Sequence, residues 1–272
     1  MGQSGEYALM SIPDDLKDDQ YFKIIVDPLT ICKTYRPRFG QGKGFTLREF
    51  QAEYGADPFY SWFGLDSPMM YTAHKAAGGI TSVYRQIGIG CQRLIRQVIV
   101  DRLGLNVHQS DWSYEIIKSS GKKEKRFLDA RITAADVQDP QTELTIIQWL
   151  EAARQRLDLD DTPEGAIFEI RQGYKSKDSK RQNADLEYAA NAYAQRHLPV
   201  ILLLSKQIDA DVAIRYQNAR MLILLGATTG TTTSSTYVFC KEVLGYDLAA
   251  FFERNSPRLK SDVESVLEAI LK

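Results

Sequence analysis

Two short, unbroken apolar runs, residues 200–204 (Val-Ile-Leu-Leu-Leu) and 221–225 (Met-Leu-Ile-Leu-Leu), constrain this chain more than any other feature. Runs of that length without polar alternation suit strands buried on both faces, the habit of parallel sheets covered by helices. A helical pattern at 210–219 separates them. A strand pattern at 166–174 and a helical one at 179–196 precede them. Strand, helix, strand, helix, strand predicts right-handed crossovers and an α/β fold with a mixed central sheet and flanking helices. Upstream, 114–118 and 126–133 read as a hairpin across Ser119-Ser120-Gly121-Lys122, forming the antiparallel edge of that sheet. Further helices are expected at 143–157 and at 260–271, where Val263, Val266, Leu267 and Ile270 share a face.

The first 65 residues look irregular, apart from a short helix at Thr46 with Glu49 completing a capping box. From 82 to 103, Ile87, Ile89, Leu94, Ile95, Val98 and Ile99 recur at helical spacing. Arg85, Arg93, Arg96 and Arg102 lie between them, and an interruption near 88–90 is compatible with the pattern. Arg85, Arg93 and Arg96 either reach phosphates or form an ordinary basic outer face.

Composition excludes several classes. With 44% hydrophobic and 25% charged residues, a wholly disordered chain is excluded. Lys plus Arg number 34 against 35 acidic residues, a net charge of -1, so any nucleic-acid surface must be a local patch. Cys32, Cys91 and Cys240 show no CxxC spacing, which argues against a disulfide scaffold and a structural zinc. His74, His108 and His197 are too scattered for a histidine zinc site; a capping role at a helix end suffices for His197. The acidic start (Asp14, Asp15, Asp18, Asp19) lacks a basic-then-apolar leader, and no apolar run approaches the roughly 20 residues of a membrane helix. A soluble, cytoplasmic protein is expected.

The chemistry concentrates in 168–185. On an extended strand Glu169 and Arg171 share one face, while Phe168 and Ile170 take the other. Arg171, Lys175, Lys177, Lys180 and Arg181 against Asp178 leave a local charge of +4 before a helix start, where exposed amides favour a phosphate. A solvated basic turn is the plainer reading. Against it stands Asp129, a carboxylate in an otherwise alternating strand (Arg126-Phe127-Leu128-Asp129-Ala130-Arg131-Ile132), one strand upstream of Glu169. Two carboxylates on neighbouring strands can share a divalent metal.

This order, an Asp on the second hairpin strand, Glu-x-(Lys) on the third, then a helix and a buried parallel strand, resembles the PD-(D/E)xK nuclease core. The stretch 169–185, leading through Ala-Tyr into Pro199-Val-Ile-Leu, looks like type II restriction endonucleases in particular. The resemblance spans about 114–225. It implies a restriction-endonuclease-like core over 106–272 behind a helical N-terminal region over 1–105, or both as one continuous domain. It also implies sequence-specific, Mg2+-dependent cleavage of double-stranded DNA by a homodimer, with a cognate DNA methyltransferase as genetic neighbour. Asp129 and Glu169 would ligate the metal. Lys175 or Lys177, with Arg171 helping, would position water and scissile phosphate. The pattern departs in two places: Arg171 stands where the lysine is usual, and Leu128 rather than proline precedes Asp129. On this reading Lys175→Ala is the damaging change, and Arg171→Lys keeps much of the activity.

At the following helix start, Lys180, Arg181, Gln182 and Asn183 have side chains suited to guanine and adenine edges, or simply cap and solvate the helix. Arg93 is a candidate phosphate contact. Gly40-Gln-Gly-Lys-Gly44 is not a P-loop. The Thr/Ser run 227–236 reads as a surface loop or a set of phosphate-binding hydroxyls. Phe59, Tyr60, Trp62 and Phe63 read as buried packing or a dimer contact, or as a base-stacking platform. Two other readings remain open: a DNA-binding protein without cleavage, and an α/β interaction domain in which Asp129 only pairs with Arg131 or Arg171.

Overall fold

The computed structural model describes residues 14–40, 42–117, 120–174 and 178–271. Helices α1 (Asp14–Val26), α2 (Leu47–Gly55) and α3 (Pro58–Trp62), with a 3-10 turn over Asp27–Thr34, replace the irregular start expected from the sequence. Helix α1 is polar around most of its surface, and α2 and α3, at 9 and 5 residues, are too short for a period to show. Thr46 and Glu49 form the capping box, each side chain bonding the other's backbone amide. Helix α4 (Pro68–Leu103) is continuous through 88–90 and starts fourteen residues before the expected boundary at 82. Gly90 does not break it because it packs on the Ile25 backbone, where a Cβ would sit 2.4 Å from the carbonyl oxygen.

Strands β1 (Trp112–Ile117) and β2 (Lys123–Leu128) pair antiparallel as the expected hairpin. They form their own two-stranded sheet rather than an edge of the main one. The chain bends at Asp129, so the strand expected over 126–133 divides into β2 and β3 (Ala130–Thr133). After α5 (Pro140–Leu157), β4 (Gly165–Arg171) pairs antiparallel with β3 and parallel with β5 (His197–Leu203), which pairs parallel with β6 (Leu222–Leu224). The mixed sheet therefore runs β3-β4-β5-β6. Helices α6 (Ser179–Ala194) and α7 (Ala210–Asn218) make the crossovers, and α8 (Thr236–Glu242) and α9 (Leu248–Leu271) follow.

Side-chain alternation on the strands separates two cores. Phe168, Ile170, Val200 and Leu202 pack with Leu94, Ile95 and Val98 of α4, Trp149 of α5 and Phe251 of α9. On the opposite face Ile167, Ile201 and Leu203 meet Tyr188 and Ala192 of α6, Tyr216 of α7, and Trp112 and Tyr114 of the hairpin. Helices on both faces leave β5 with every residue buried, which explains its unbroken apolar sequence.

Three minor expectations fail. His197 begins β5 instead of capping a helix, its ring meeting the Gln195 carbonyl at 2.7 Å and the Thr133 hydroxyl at 3.2 Å. The run 227–236 is no loose surface loop throughout: Ser235 and Thr236 are buried, and Thr236 donates to the Leu203 carbonyl at 2.7 Å. Phe59, Trp62 and Phe63 are exposed, which removes buried packing as their role and leaves the dimer contact and the stacking platform. The three cysteines are buried and free, and burial pushes the Cys91 and Cys240 thiols up to about 12. Among the described residues no helix is long and apolar enough to cross a membrane.

Candidate active site

Asp129 occupies the bend between β2 and β3, and Glu169 is the one residue of β4 that is not fully buried. Ala130 pairs with Phe168, so continuing the register one step sets Asp129 opposite Glu169. The backbone closes the arrangement. Asp129 N–H donates to the Phe168 carbonyl at 3.1 Å, and Ile170 N–H donates to Asp129 Oδ2 at 2.7 Å. The bend thus orients the carboxylate as well as dividing the strand.

Arg171 follows Glu169 on the same face and is 9% exposed. Its guanidinium reaches Glu169 Oε1 from Nε at 3.1 Å and Asp185 Oδ1 from Nη2 at 2.6 Å, and it lies 4.5 Å from the centre of the Tyr174 ring. Its Nη1 is buried without a hydrogen-bond partner. Asp185, on α6 and 3% exposed, also accepts from Tyr216 and, at 3.4 Å, from Tyr174. Burial works against the Arg171 charge, but Glu169 and Asp185 outweigh it and hold the guanidinium firmly protonated.

The carboxylates respond the other way. Burial raises the Asp129 pKa to about 6, opposed by the Ile170 amide, Arg171 and Gln92. Burial raises Glu169 to about 7, with Arg171 opposing and the charges of Asp129 and Asp185 adding to the rise. Two acids that resist ionising side by side create a local demand for a proton or another cation.

Among the described residues each carboxylate also keeps one oxygen open. Glu169 Oε2 and Asp129 Oδ1 have no protein partner among the described residues. Gln92 Nε2 of α4 bridges the Ile170 carbonyl (3.2 Å) to Asp129 Oδ2 (3.3 Å). Among the described residues no three His, Cys, Asp or Glu side chains cluster to make a complete all-protein metal cage. A Mg2+ ion does not need one: it retains several waters and is held by one or two carboxylates with substrate oxygens. The donor set therefore fits that ion.

Of the other residues singled out by sequence, Lys175 and Lys177 lie outside the described residues. Lys180 and Arg181 are exposed on the first turn of α6. The helix-start amides expected to meet a phosphate are capped by Asp178, which accepts from Lys180 N–H at 3.0 Å and Arg181 N–H at 3.3 Å. Gln182 and Asn183 both accept from Arg215 of α7, at 2.9 and 2.7 Å, so their amide oxygens are engaged within the protein. Arg93 is exposed on α4, and its neighbour Arg96 is ion-paired with Asp111. Asp129 meets neither Arg131, which pairs with Asp136, nor Arg171 in a direct ion pair.

Sequence reading missed Gln92, Asp185, Tyr174, Tyr216 and Arg215. Asp185 left a signal: it sits on the α6 stripe formed by Gln182, Tyr188, Ala189 and Ala192, where an unpaired charge is costly. No family model matches the chain, and no curated protein or solved structure matches it either.

Proposed function

We propose that this protein is a divalent-metal-dependent endonuclease acting on double-stranded DNA, with a core of the restriction-endonuclease kind. The observation that carries the reading is that Asp129, at the bend into β3, stands opposite Glu169 of β4, each with an oxygen open among the described residues and a pKa raised to about 6 and about 7. Asp129 and Glu169 would hold Mg2+. When bound, the ion supplies positive charge against the developing phosphate and lowers the pKa of a coordinated water. Arg171 fixes the orientation of Glu169 and remains charged, so it holds anions rather than moving protons. The ammonium beside the water falls to Lys175 or Lys177. Exposed Lys180 and Arg181 are the better base-reading candidates of their group, with Arg93 a backbone contact, because Gln182 and Asn183 are committed to Arg215. Cutting both strands at a symmetric site calls for a homodimer, one site per strand, and the biological setting would include a DNA methyltransferase and a cytoplasmic location.

One observation favours a DNA-binding protein without cleavage: Arg171 occupies a Glu169 oxygen and cannot act as a base. Supercoiled plasmids of varied sequence incubated with the protein decide between the two. Cleavage with Mg2+ that stops on chelation is the expected result. A salt-sensitive gel shift with no cleavage in Mg2+ or Mn2+ would favour the second reading. Neither cleavage nor binding would overturn both.

A further inference from the structure

A basic concavity lies on the N-terminal region, away from the candidate site in sequence: a cavity of about 620 Å3 lined by Tyr35, Arg36, Arg38, Thr81, Ser82 and Arg85, with no acidic side chain among the described lining residues. Arg36, Arg38 and Arg85 are exposed, and none has an ion-pair partner among the described residues. In a chain of net charge -1, three unpaired arginines converging on one hollow are not explained by general basicity.

The hollow is also built. The 35–46 loop is pinned by Phe45 N–H donating to the Pro37 carbonyl at 2.8 Å and by the Tyr71 hydroxyl donating to the Phe45 carbonyl at 2.8 Å. Tyr35 lies directly on α4 at Gly78, where a Cβ would sit 2.0 Å from its hydroxyl oxygen. The wall carrying Arg36 and Arg38 is therefore docked on the helix carrying Thr81, Ser82 and Arg85.

That helix leads to the carboxylates. Arg85 and Gln92 are seven residues apart, two turns, so they share a face and stand about 10.5 Å apart along the axis. Gln92 touches Asp129, and between the two lies Gly88, where nothing stands within 4 Å of a Cβ position. A strand carrying one phosphate per roughly 3.4 Å of duplex axis would set about three phosphates along that distance.

We infer that the Arg36/Arg38/Arg85 hollow is a phosphate-binding subsite for the DNA backbone a few nucleotides from the scissile bond, with the bare α4 face at Gly88 as the track between them. The inference rests on the nuclease reading above. It assigns these arginines affinity without sequence discrimination, since backbone contacts position and do not read bases.

Duplex binding measured in Ca2+ over a salt series tests it, with inorganic pyrophosphate binding to the DNA-free protein measured separately in metal-free buffer. The triple variant Arg36→Ala/Arg38→Ala/Arg85→Ala should lose at least about tenfold in affinity on all sequences, and its log–log salt slope should flatten by about 2 to 3. Replacing the same residues with lysine should restore most of the slope, and thermal melting should show both variants folded, as expected for exposed positions. A triple variant that binds with the wild-type slope overturns the subsite and leaves the nuclease reading standing. Loss of pyrophosphate binding with DNA binding intact overturns it in favour of a small-phosphate site. No DNA binding by the wild-type protein overturns both.

Discussion

Replacing Asp129 with asparagine should lower Mg2+-dependent cleavage by about two to four orders of magnitude while leaving duplex binding in Ca2+ near wild type. The substitution preserves shape and still offers an oxygen to the Ile170 amide, which Asp129 accepts at 2.7 Å, so the bend between β2 and β3 should survive. What is lost is half of the negative charge that would hold the ion. Metal stabilisation of a phosphoryl transition state is worth several kcal/mol, and each 1.4 kcal/mol is about tenfold in rate. Glu169→Gln should behave alike, because the two carboxylates act as one unit. A single-turnover assay on a cleaved plasmid distinguishes the outcomes, and wild-type cutting by Asp129→Asn would mean the site is elsewhere.

The largest stability effect should come from a residue with no proposed contact to substrate. Asp185 is 3% exposed and pairs with Arg171, itself 9% exposed, while accepting from two tyrosines. Removing a partner from a buried charge costs up to about 3–5 kcal/mol, and without Asp185 the Arg171 guanidinium keeps only Glu169. Asp185→Ala should therefore unfold at markedly lower urea concentration than wild type. Tyr216→Phe removes one hydrogen bond and should cost about 1 kcal/mol. Arg171→Lys, which the resemblance to lysine-bearing nucleases would make benign, should instead be destabilising, since a single ammonium cannot reproduce the fork that spans Glu169 and Asp185. An unchanged denaturation midpoint for Asp185→Ala would show that Glu169 alone suffices to hold the buried Arg171 charge.

The parallel part of the sheet was legible because burial on both faces leaves runs such as 200–204 wholly apolar. The opposition of Asp129 and Glu169 was legible for a related reason: a carboxylate in an alternating strand stands out against its neighbours. The N-terminal helices were not legible. Helix α1 takes Asp, Lys and Gln around most of its circumference, and among its described side chains Tyr21, Phe22 and Ile25 mark the buried side. The division at Asp129 escaped notice because a bend needs no glycine or proline when a side chain can hold the facing amide. Gln92 and Arg215 were hidden for a different reason. Each acts on residues at least 32 positions away, and nothing in local periodicity reports which distant surface a glutamine or an arginine will touch.

The most direct measurement is calorimetric titration of the metal-free protein with Mn2+ at pH 5.5 and pH 8, alongside Asp129→Asn and Glu169→Gln. Protons compete with the metal for carboxylates whose pKa values are raised to about 6 and about 7. Below those values the pair is largely protonated, so affinity should be weak at pH 5.5 and rise by roughly tenfold or more at pH 8. One ion should bind per chain at pH 8, and either substitution should abolish most of that heat. Binding that is indifferent to pH, or that persists in both variants, would contradict a cation shared between Asp129 and Glu169.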